Sequence, residues 1–164
     1  MGDSQRVVRI LGAGLAGSEA ALQLADRGIR VELVEMRPEV GTAVHKTGNA
    51  AELVCSNSLK TTNPDSAAGM LKAELSALGS HLIDAAMRNR VAAGGALAVD
   101  RDAFSGEVTA RLCAHPCIEI SRRLARSLDE EAVGVDALIV ATGPLTEGDL
   151  AQSLCEATGS DNLA

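Results

Sequence analysis

The sequence has almost no aromatic residues: its 164 residues include one phenylalanine, no tryptophan and no tyrosine. Alanine, leucine and valine must therefore build the core, and the chain offers no aromatic platform on which nucleic-acid bases would stack. It also lacks a run of about 18 apolar residues, so no segment is expected to span a membrane. Since the N-terminus has no apolar stretch with a small-residue cleavage site, we expect a cytoplasmic protein rather than a secreted one.

Positive charge is scarce as well, because 15 Lys and Arg residues face 22 Asp and Glu residues, for a net charge of −7. This balance argues against the binding of a polyanion by this segment alone. Arg122, Arg123 and Arg126 lie close together in the sequence, and we interpret them as part of a solvated surface.

The four cysteines are scattered, at positions 55, 113, 117 and 155, unlike the framework of a disulfide-rich domain. Reduced thiols in a cytosolic protein are therefore expected. Cys113, His115 and Cys117 are neighbours, but structural zinc usually needs four ligands and the sequence offers no fourth. We interpret this segment as a helix end that turns into a strand, and we predict no metal site.

The segment VVRILGAGLAGSEAALQLADRGIRVELVEMR, residues 7–37, has the order strand, Gly-x-Gly-x-x-Gly turn, helix, strand and acid. Gly12 permits a tight turn, Gly14 lets the backbone approach a pyrophosphate, and Gly17 allows helix and strand to pack closely. The helix start presents N–H groups and a positive dipole end to the phosphates. Glu35 is placed to accept hydrogen bonds from a ribose, so the segment predicts a dinucleotide site. The alternative is a glycine-rich helix start in an ordinary βαβ unit.

Strands and helices alternate along the chain, which predicts a single α/β domain over residues 1–164 with a doubly wound, mostly parallel sheet. The predicted strands are residues 7–11, 30–35, 117–121 and 135–141, and the predicted helices are 16–27, 66–78, 102–114 and a short one from Thr146. Gly28, Ser66 and Asp100 are predicted to end or start helices. Residues 42–64 show no clean period, and a loop of this length is usually functional or mobile.

Five blocks carry a family resemblance: GAGLAGSEAA (12–21), VELVEMRP (31–38), AELVCSNSLK (51–60), AGGALAVDR (93–101) and IVATGPLT (139–146). In this order they resemble the N-terminal part of the folate- and FAD-dependent tRNA uracil-5 methyltransferases, also described as Gid-type flavoproteins. The first block is shared by many flavoproteins, whereas CSNSLK and GGALAVDR are far more specific. The resemblance extends over about residues 7 to 160.

The resemblance implies a Rossmann-like FAD-binding domain and a reductive methylation. In that family, reduced FAD takes the methylene group of 5,10-methylenetetrahydrofolate and passes it to C5 of a T-loop uridine in tRNA, with NAD(P)H as the electron source. Because family members are much longer, the resemblance also implies the N-terminal fragment of a longer enzyme. The connector-like ending TGSDNLA agrees with an incomplete domain that continues beyond Ala164. The oligomeric state stays open.

The glycine motif and the resemblance together predict the cofactor contacts. The predicted cofactor-binding residues are Gly12, Ala13, Gly14, Leu15, Ala16 and Gly17 at the pyrophosphate, Glu35 at the ribose, Arg37, and Thr142 with Gly143 closing the site. The carboxylate of Glu35 disfavours NADP here because it would repel a 2′-phosphate, although the positive charge of Arg37 weakens that argument.

Cys55, in LVCSNS, matches the first of the two cysteines that serve this chemistry in the family. The resemblance implies that it is the general base or a partner of the nucleophile, and the choice between these roles stays open. From the residues alone, Ser56, Asn57 and Ser58 offer hydrogen-bond donors, and Lys60 offers a positive charge that favours a thiolate. The alternative is a small buried residue in a polar turn. No counterpart of the second family cysteine is recognised among Cys113, Cys117 and Cys155.

Two further pairs of residues have two interpretations each. His45 with Lys46 would contact a phosphate or a folate carboxylate, or would belong to an exposed polar loop. Gly94 with Gly95 would let the backbone approach the isoalloxazine ring, or would make a simple turn. Two other functions are alternatives: a GidA-type FAD-dependent modification of the tRNA wobble uridine, which CSNSLK and GGALAVDR disfavour, and an inactive nucleotide-binding remnant.

Overall fold

The computed structural model describes residues 6–159, which form seven strands and six helices. The strands are β1 (Val7–Leu11), β2 (Arg30–Glu35), β3 (Ser58–Thr61), β4 (Arg90–Val91), β5 (Ala96–Val99), β6 (Ile118–Arg122) and β7 (Ala137–Val140). The helices are α1 (Leu15–Asp26), α2 (Ala67–Ala77), α3 (His81–Arg88), α4 (Arg101–Ala114), α5 (Leu128–Ala132) and α6 (Gly148–Thr158). Of the helices in this part of the chain, none is long and apolar enough to cross a membrane.

A four-stranded parallel sheet, in the order β6-β2-β1-β7, forms the centre of the fold. Ile10 of β1 lies opposite Leu33 of β2, and Leu33 lies opposite Ile120 of β6. The crossover from β1 to β2 passes through α1, as in the βαβ units of nucleotide-binding proteins. This part of the fold brings the ends of β1, β2, β6 and β7 to one edge of the sheet.

Helices cover both faces of this sheet. Since successive strand residues point to opposite sides, each face contributes apolar side chains to a core of its own. On one face, Val8 and Ile10 belong to a core formed with α1, α3 and α4, which includes the completely buried Phe104. On the other face, Leu11 and Val34 pack with residues of α5 and α6 in a smaller core. The predicted Rossmann-like α/β fold with a doubly wound parallel sheet is therefore confirmed.

A second sheet is antiparallel, with three short strands in the order β3-β5-β4. Ser58 pairs with Ala98 across β3 and β5, and Arg90 pairs with Val99 across β4 and β5. Its strands have two to four residues, too few for an alternation pattern to show in the sequence. The prediction of a loop over residues 42–64 is therefore wrong near its end, where β3 forms.

Three predicted helix boundaries are confirmed by hydrogen bonds and backbone angles. The Ser66 hydroxyl accepts a hydrogen bond from the N–H of Gly69 at 3.1 Å and caps α2. The Asp100 carboxylate accepts from the N–H of Ala103 at 3.0 Å and caps α4. Gly28, just after α1, has a φ of +75°, the left-handed conformation expected where a helix ends.

Helix α3 is held by a carboxylate from α1. Glu19 accepts hydrogen bonds from the N–H groups of His81 at 3.1 Å and Leu82 at 2.9 Å, in the first turn of α3. Burial alone would raise the pKa of Glu19, but hydrogen bonds, led by the one from Leu82, lower it below its ordinary value. A negative charge at a helix start is stabilising. Helix α3 is not predicted from the sequence, and the carboxylate at its start lies 62 positions away from His81 in the chain.

Candidate functional site

A cavity of about 340 Å³ lies at the carboxyl-terminal edge of the parallel sheet. Its lining residues come from four segments, within 11–14, 34–45, 123–126 and 141–150. These segments follow β1, β2, β6 and β7, and this edge is where open α/β sheets bind their ligands. The predicted cofactor residues that line the cavity are Gly12, Gly14, Glu35, Arg37 and Thr142. Those that lie outside its lining are Ala13, Leu15, Ala16, Gly17 and Gly143.

The turn after β1 has no room for a side chain at two of its glycines. Gly12 has a φ of +93°, and a Cβ there would lie 2.7 Å from the carbonyl oxygen of Ala141. At Gly17, a Cβ would lie 1.9 Å from the carbonyl oxygen of Gly12. A Cβ at Gly14 would meet only the Ala141 oxygen, at 4.0 Å. Gly12 and Gly17 thus let β1, β7 and α1 pack closely, whereas the space beside Gly14 belongs to the cavity.

The start of α1 lies at the cavity without a capping side chain. Its N-cap residue is Gly14, and its first turn contains no acidic residue. The backbone N–H groups of Leu15 and Ala16 therefore carry the positive end of the helix dipole. A helix start of this kind suits an anion such as phosphate.

Ala13, in the centre of the turn, connects three parts of the site. Its N–H donates to Glu35 Oε2 at 2.9 Å, and its carbonyl oxygen accepts from the N–H of Ala51 at 2.8 Å. The Ser18 hydroxyl donates to the same carbonyl at 3.1 Å. Ala13 therefore connects the turn to the end of β2 and to the irregular segment that follows β2.

Glu35 and Arg37 form a buried ion pair at the end of β2, with side chains 6% and 4% exposed. The Arg37 side chain donates to Glu35 through Nε at 2.9 Å and Nη2 at 3.2 Å, and the Arg37 backbone N–H donates at 2.9 Å. Burial alone would raise the pKa of Glu35, but the hydrogen bonds from Arg37 and Ala13 and the charge of Arg37 lower it. Glu35 is therefore an ionised acceptor at neutral pH.

Arg37 also contacts a second carboxylate, that of Glu52. Its Nη1 lies 3.2 Å from Glu52 Oε2 and donates to the carbonyl oxygen of Thr47 at 3.4 Å. Glu52 in turn accepts from the N–H of Lys46 at 2.8 Å and from the Thr47 hydroxyl at 2.8 Å. Burial would raise the pKa of Glu52, but these hydrogen bonds and the Arg37 charge lower it. Glu35, Arg37 and Glu52 therefore form a carboxylate–guanidinium–carboxylate series.

The three neighbouring arginines have different environments. Arg122 is half-buried, and its Nη1 donates to the carbonyl oxygens of Arg37 at 2.7 Å and Gly48 at 2.9 Å. Arg123 forms an ion pair with Glu131 through both of its terminal nitrogens. The solvated-surface interpretation is thus wrong for Arg122, which holds the segment after β2 against the end of β6. Arg126 is exposed, as that interpretation expects, and it also lines the cavity, with Nη1 3.5 Å from Asp149 Oδ2.

Thr142 and Gly143 begin a closed turn at the mouth of the cavity. The Thr142 and Thr146 hydroxyls lie 2.6 Å apart, and Thr146 donates to the carbonyl oxygen of Gly143 at 2.8 Å. Gly143 has a φ of +77°, which a residue with a side chain would adopt only with strain. The turn brings Thr142 and Thr146, but not Gly143, into the cavity lining.

Apolar residues that the sequence analysis misses line much of the remaining wall. They are Leu11, Val34, Val40, Leu124, Ala125, Leu145 and Leu150. The position of Leu124 and Ala125 just after β6 is the signal that would have found them, because residues at the carboxyl ends of parallel strands share one edge. A flat apolar group, such as a nucleobase, is the kind of ligand that this wall suits.

Cys55 is exposed and lies in the irregular segment before β3, outside the cavity lining. Its exposure contradicts the alternative of a small buried residue.

His45 does line the cavity, with Nδ1 2.6 Å from the Thr42 hydroxyl, whereas Lys46 does not. Burial and the positive charge of Arg37 lower the pKa of His45. Gly94 and Gly95 precede β5 and lie outside this lining too.

His115 contacts Asp26 and the backbone of Cys117. Its Nε2 lies 3.3 Å from a carboxylate oxygen of Asp26, and its Nδ1 accepts the N–H of Cys117 at 3.2 Å. Within residues 6–159, no group of three or more His, Cys, Asp or Glu side chains is arranged to hold a metal ion.

Comparison with known proteins relates this geometry to a family. The chain is 51% identical over 157 residues to the methylenetetrahydrofolate–tRNA-(uracil-5-)-methyltransferase TrmFO of Desulfitobacterium hafniense, covering 96% of this chain and 35% of that protein. Proteins of the same name from Carboxydothermus hydrogenoformans and Mesorhizobium japonicum are 53% and 51% identical, over 95% and 98% of this chain. The chain spans about a third of the length of these relatives. The family model described as glucose inhibited division protein A matches residues 7–162, so the chain belongs to that family.

Proposed function

We propose that this chain is the FAD-binding part of an enzyme that methylates C5 of a T-loop uridine in tRNA. The enzyme would use 5,10-methylenetetrahydrofolate as the carbon donor and NAD(P)H as the reductant. The observation that carries the proposal is the identity of about 50% to proteins named for this reaction, over nearly the whole chain. Since the chain spans about a third of their length, it would be one domain, the N-terminal portion, of a longer cytoplasmic enzyme.

The cavity geometry supports a dinucleotide. The glycine turn and the uncapped start of α1 suit the pyrophosphate, and the Glu35 carboxylate suits the diol of an adenosine ribose. Arg37 is neutralised by Glu35 and Glu52, so its charge is not available to attract a 2′-phosphate. When bound, FAD supplies the electrons that turn a transferred methylene group into a methyl group.

We propose that Cys55 takes part in the methyl transfer, either in the removal of a proton or in the attack on the uracil ring. Its thiol is exposed, as a group that acts on a large substrate such as tRNA needs to be. C5 of uracil becomes a nucleophile once a thiolate has added to C6, and a base must later remove the C5 proton. Cys55 would serve as that base or assist the attacking thiolate.

The first expected result concerns the cofactor. The purified chain should retain FAD after desalting, and Glu35→Gln should weaken FAD binding about tenfold, because an amide accepts fewer hydrogen bonds than a carboxylate. Flavin absorbance and fluorescence titration measure both effects. Glu39→Gln, an exposed neighbour with the same change of charge, is the matched control. A chain that retained NAD and rejected FAD would refute the proposed cofactor.

The second expected result concerns the reaction of the natural full-length protein. It should transfer labelled carbon from methylenetetrahydrofolate to tRNA, and Cys55→Ala should lower the rate by roughly 100-fold or more while the flavin spectrum is kept. Cys113→Ala, another exposed cysteine, is the matched control. Undiminished transfer by Cys55→Ala would remove Cys55 from the chemistry. Label on a wobble uridine would favour the GidA-type alternative, and no label at all would favour the remnant.

A further inference from the structure

Every acceptor position of Glu35 is occupied. An ionised carboxylate has about four lone-pair positions. Glu35 Oε1 accepts from Arg37 N and Nε, and Oε2 accepts from Ala13 N and from Arg37 Nη2, all between 2.9 and 3.2 Å. A ribose diol brings two hydroxyl donors, so at least one present donor must leave before the diol binds Glu35.

The two backbone donors are fixed in place. The carbonyl of Ala13 is tied to the N–H of Ala51 at 2.8 Å, and Gly12 beside it is packed against Ala141. The backbone of Arg37 is held by Arg122, which donates to its carbonyl oxygen at 2.7 Å. The mobile donor is therefore the Arg37 guanidinium, which sits on rotatable side-chain bonds.

A buried guanidinium that leaves one carboxylate needs another, because an unpaired buried charge is strongly destabilising. The Arg37 side chain is 4% exposed, so water does not replace the lost partner. Glu52 Oε2 already lies 3.2 Å from Arg37 Nη1, with its side chain 11% exposed. Hydrogen bonds from Lys46 and Thr47 hold that carboxylate in place.

We propose that Glu52 is a positioning residue of the adenosine end of the site: it receives the Arg37 guanidinium when a ribose diol binds Glu35. The inference rests on the proposed function, since it takes a dinucleotide ribose as the ligand of Glu35. Glu52 lies outside the cavity lining and acts through Arg37. Its contribution therefore depends on the ribose hydroxyls and not on the phosphates.

Calorimetric titration of the chain with ADP and with 2′,3′-dideoxy-ADP tests this dependence. The wild type should bind ADP about tenfold more tightly than the dideoxy compound, as expected for hydrogen bonds to a charged acceptor. Glu52→Gln should weaken ADP binding about tenfold and leave dideoxy-ADP binding unchanged. Glu39→Gln should bind both nucleotides as the wild type does. A purely structural role of Glu52 would weaken both nucleotides equally and would overturn the inference.

A measurement on the wild type keeps the inference testable if Glu52→Gln does not fold. The Arg37 Nε–H resonance, assigned with Arg37→Lys, should shift on addition of ADP and stay in place on addition of dideoxy-ADP. An equal response to both would overturn the inference while FAD uptake still supported the proposed function. A chain that takes up neither FAD nor ADP would overturn both.

Discussion

Replacement of Gly17 with alanine is expected to destabilise the chain by about 3 kcal/mol, at the upper end of overpacking costs, and to abolish FAD uptake. The added methyl group would lie 1.9 Å from the carbonyl oxygen of Gly12 and 3.3 Å from the Ala141 side chain. The closest obstacle is backbone, which cannot rotate away as a side chain would. The start of α1 would therefore have to move off the turn, and the phosphate site would move with it.

Gly106→Ala is the matched control for this variant. It adds the same methyl group inside α4, where a Cβ meets nothing within 4 Å. Because alanine favours a helix more than glycine does, this change should stabilise the chain by about 0.5 to 1 kcal/mol. Urea denaturation followed by circular dichroism measures both variants. Wild-type stability in Gly17→Ala would contradict the close packing described for the turn.

The elements that the sequence predicts are those whose determinants are local. The βαβ unit from β1 to β2 follows from the spacing of Gly12, Gly14 and Gly17 and from the apolar strands on either side. Ser66 and Asp100 cap helices through N–H groups three residues away. The small antiparallel sheet could not be predicted in this way, because strands of two to four residues are stabilised by partners elsewhere in the chain.

The residues of the site also fall into those with local determinants and those that depend on distant contacts. Gly12, Gly14 and Glu35 are read from one motif and do meet at the cavity. The roles of Glu52 and Arg122 depend on contacts across 15 and 85 positions, respectively, to Arg37. Glu52 lies in a polar loop and Arg122 ends strand β6. Charged residues at such places usually indicate solvent exposure, and no local pattern distinguishes them from residues that hold a segment in place. Their roles follow only from the folded chain.

Arg37→Ala is expected to cost about 3 to 5 kcal/mol at neutral pH, the usual effect of removing one partner from a buried ion pair. The variant leaves the Glu35 and Glu52 carboxylates without the guanidinium that they share, with side chains 6% and 11% exposed. It also removes the side-chain donor to the carbonyl oxygen of Thr47. Urea denaturation measures the loss. Arg27→Ala, an exposed arginine at the end of α1, should change stability by no more than about 0.5 kcal/mol.

The pH dependence of the Arg37→Ala loss tests its electrostatic origin. In the wild type, hydrogen bonds and the Arg37 charge hold the pKa values of Glu35 and Glu52 below 4.5, against the effect of burial. Their contribution is therefore complete above pH 4.5 and is lost as the pH falls below it. Without Arg37, burial acts on Glu35 with less opposition, its pKa rises, and protonation at acidic pH relieves the unpaired charge. The difference in the free energy of unfolding between Arg37→Ala and the wild type should thus shrink from pH 7 to about pH 4. A difference of constant size over this range would mean that Arg37 stabilises the fold through packing alone.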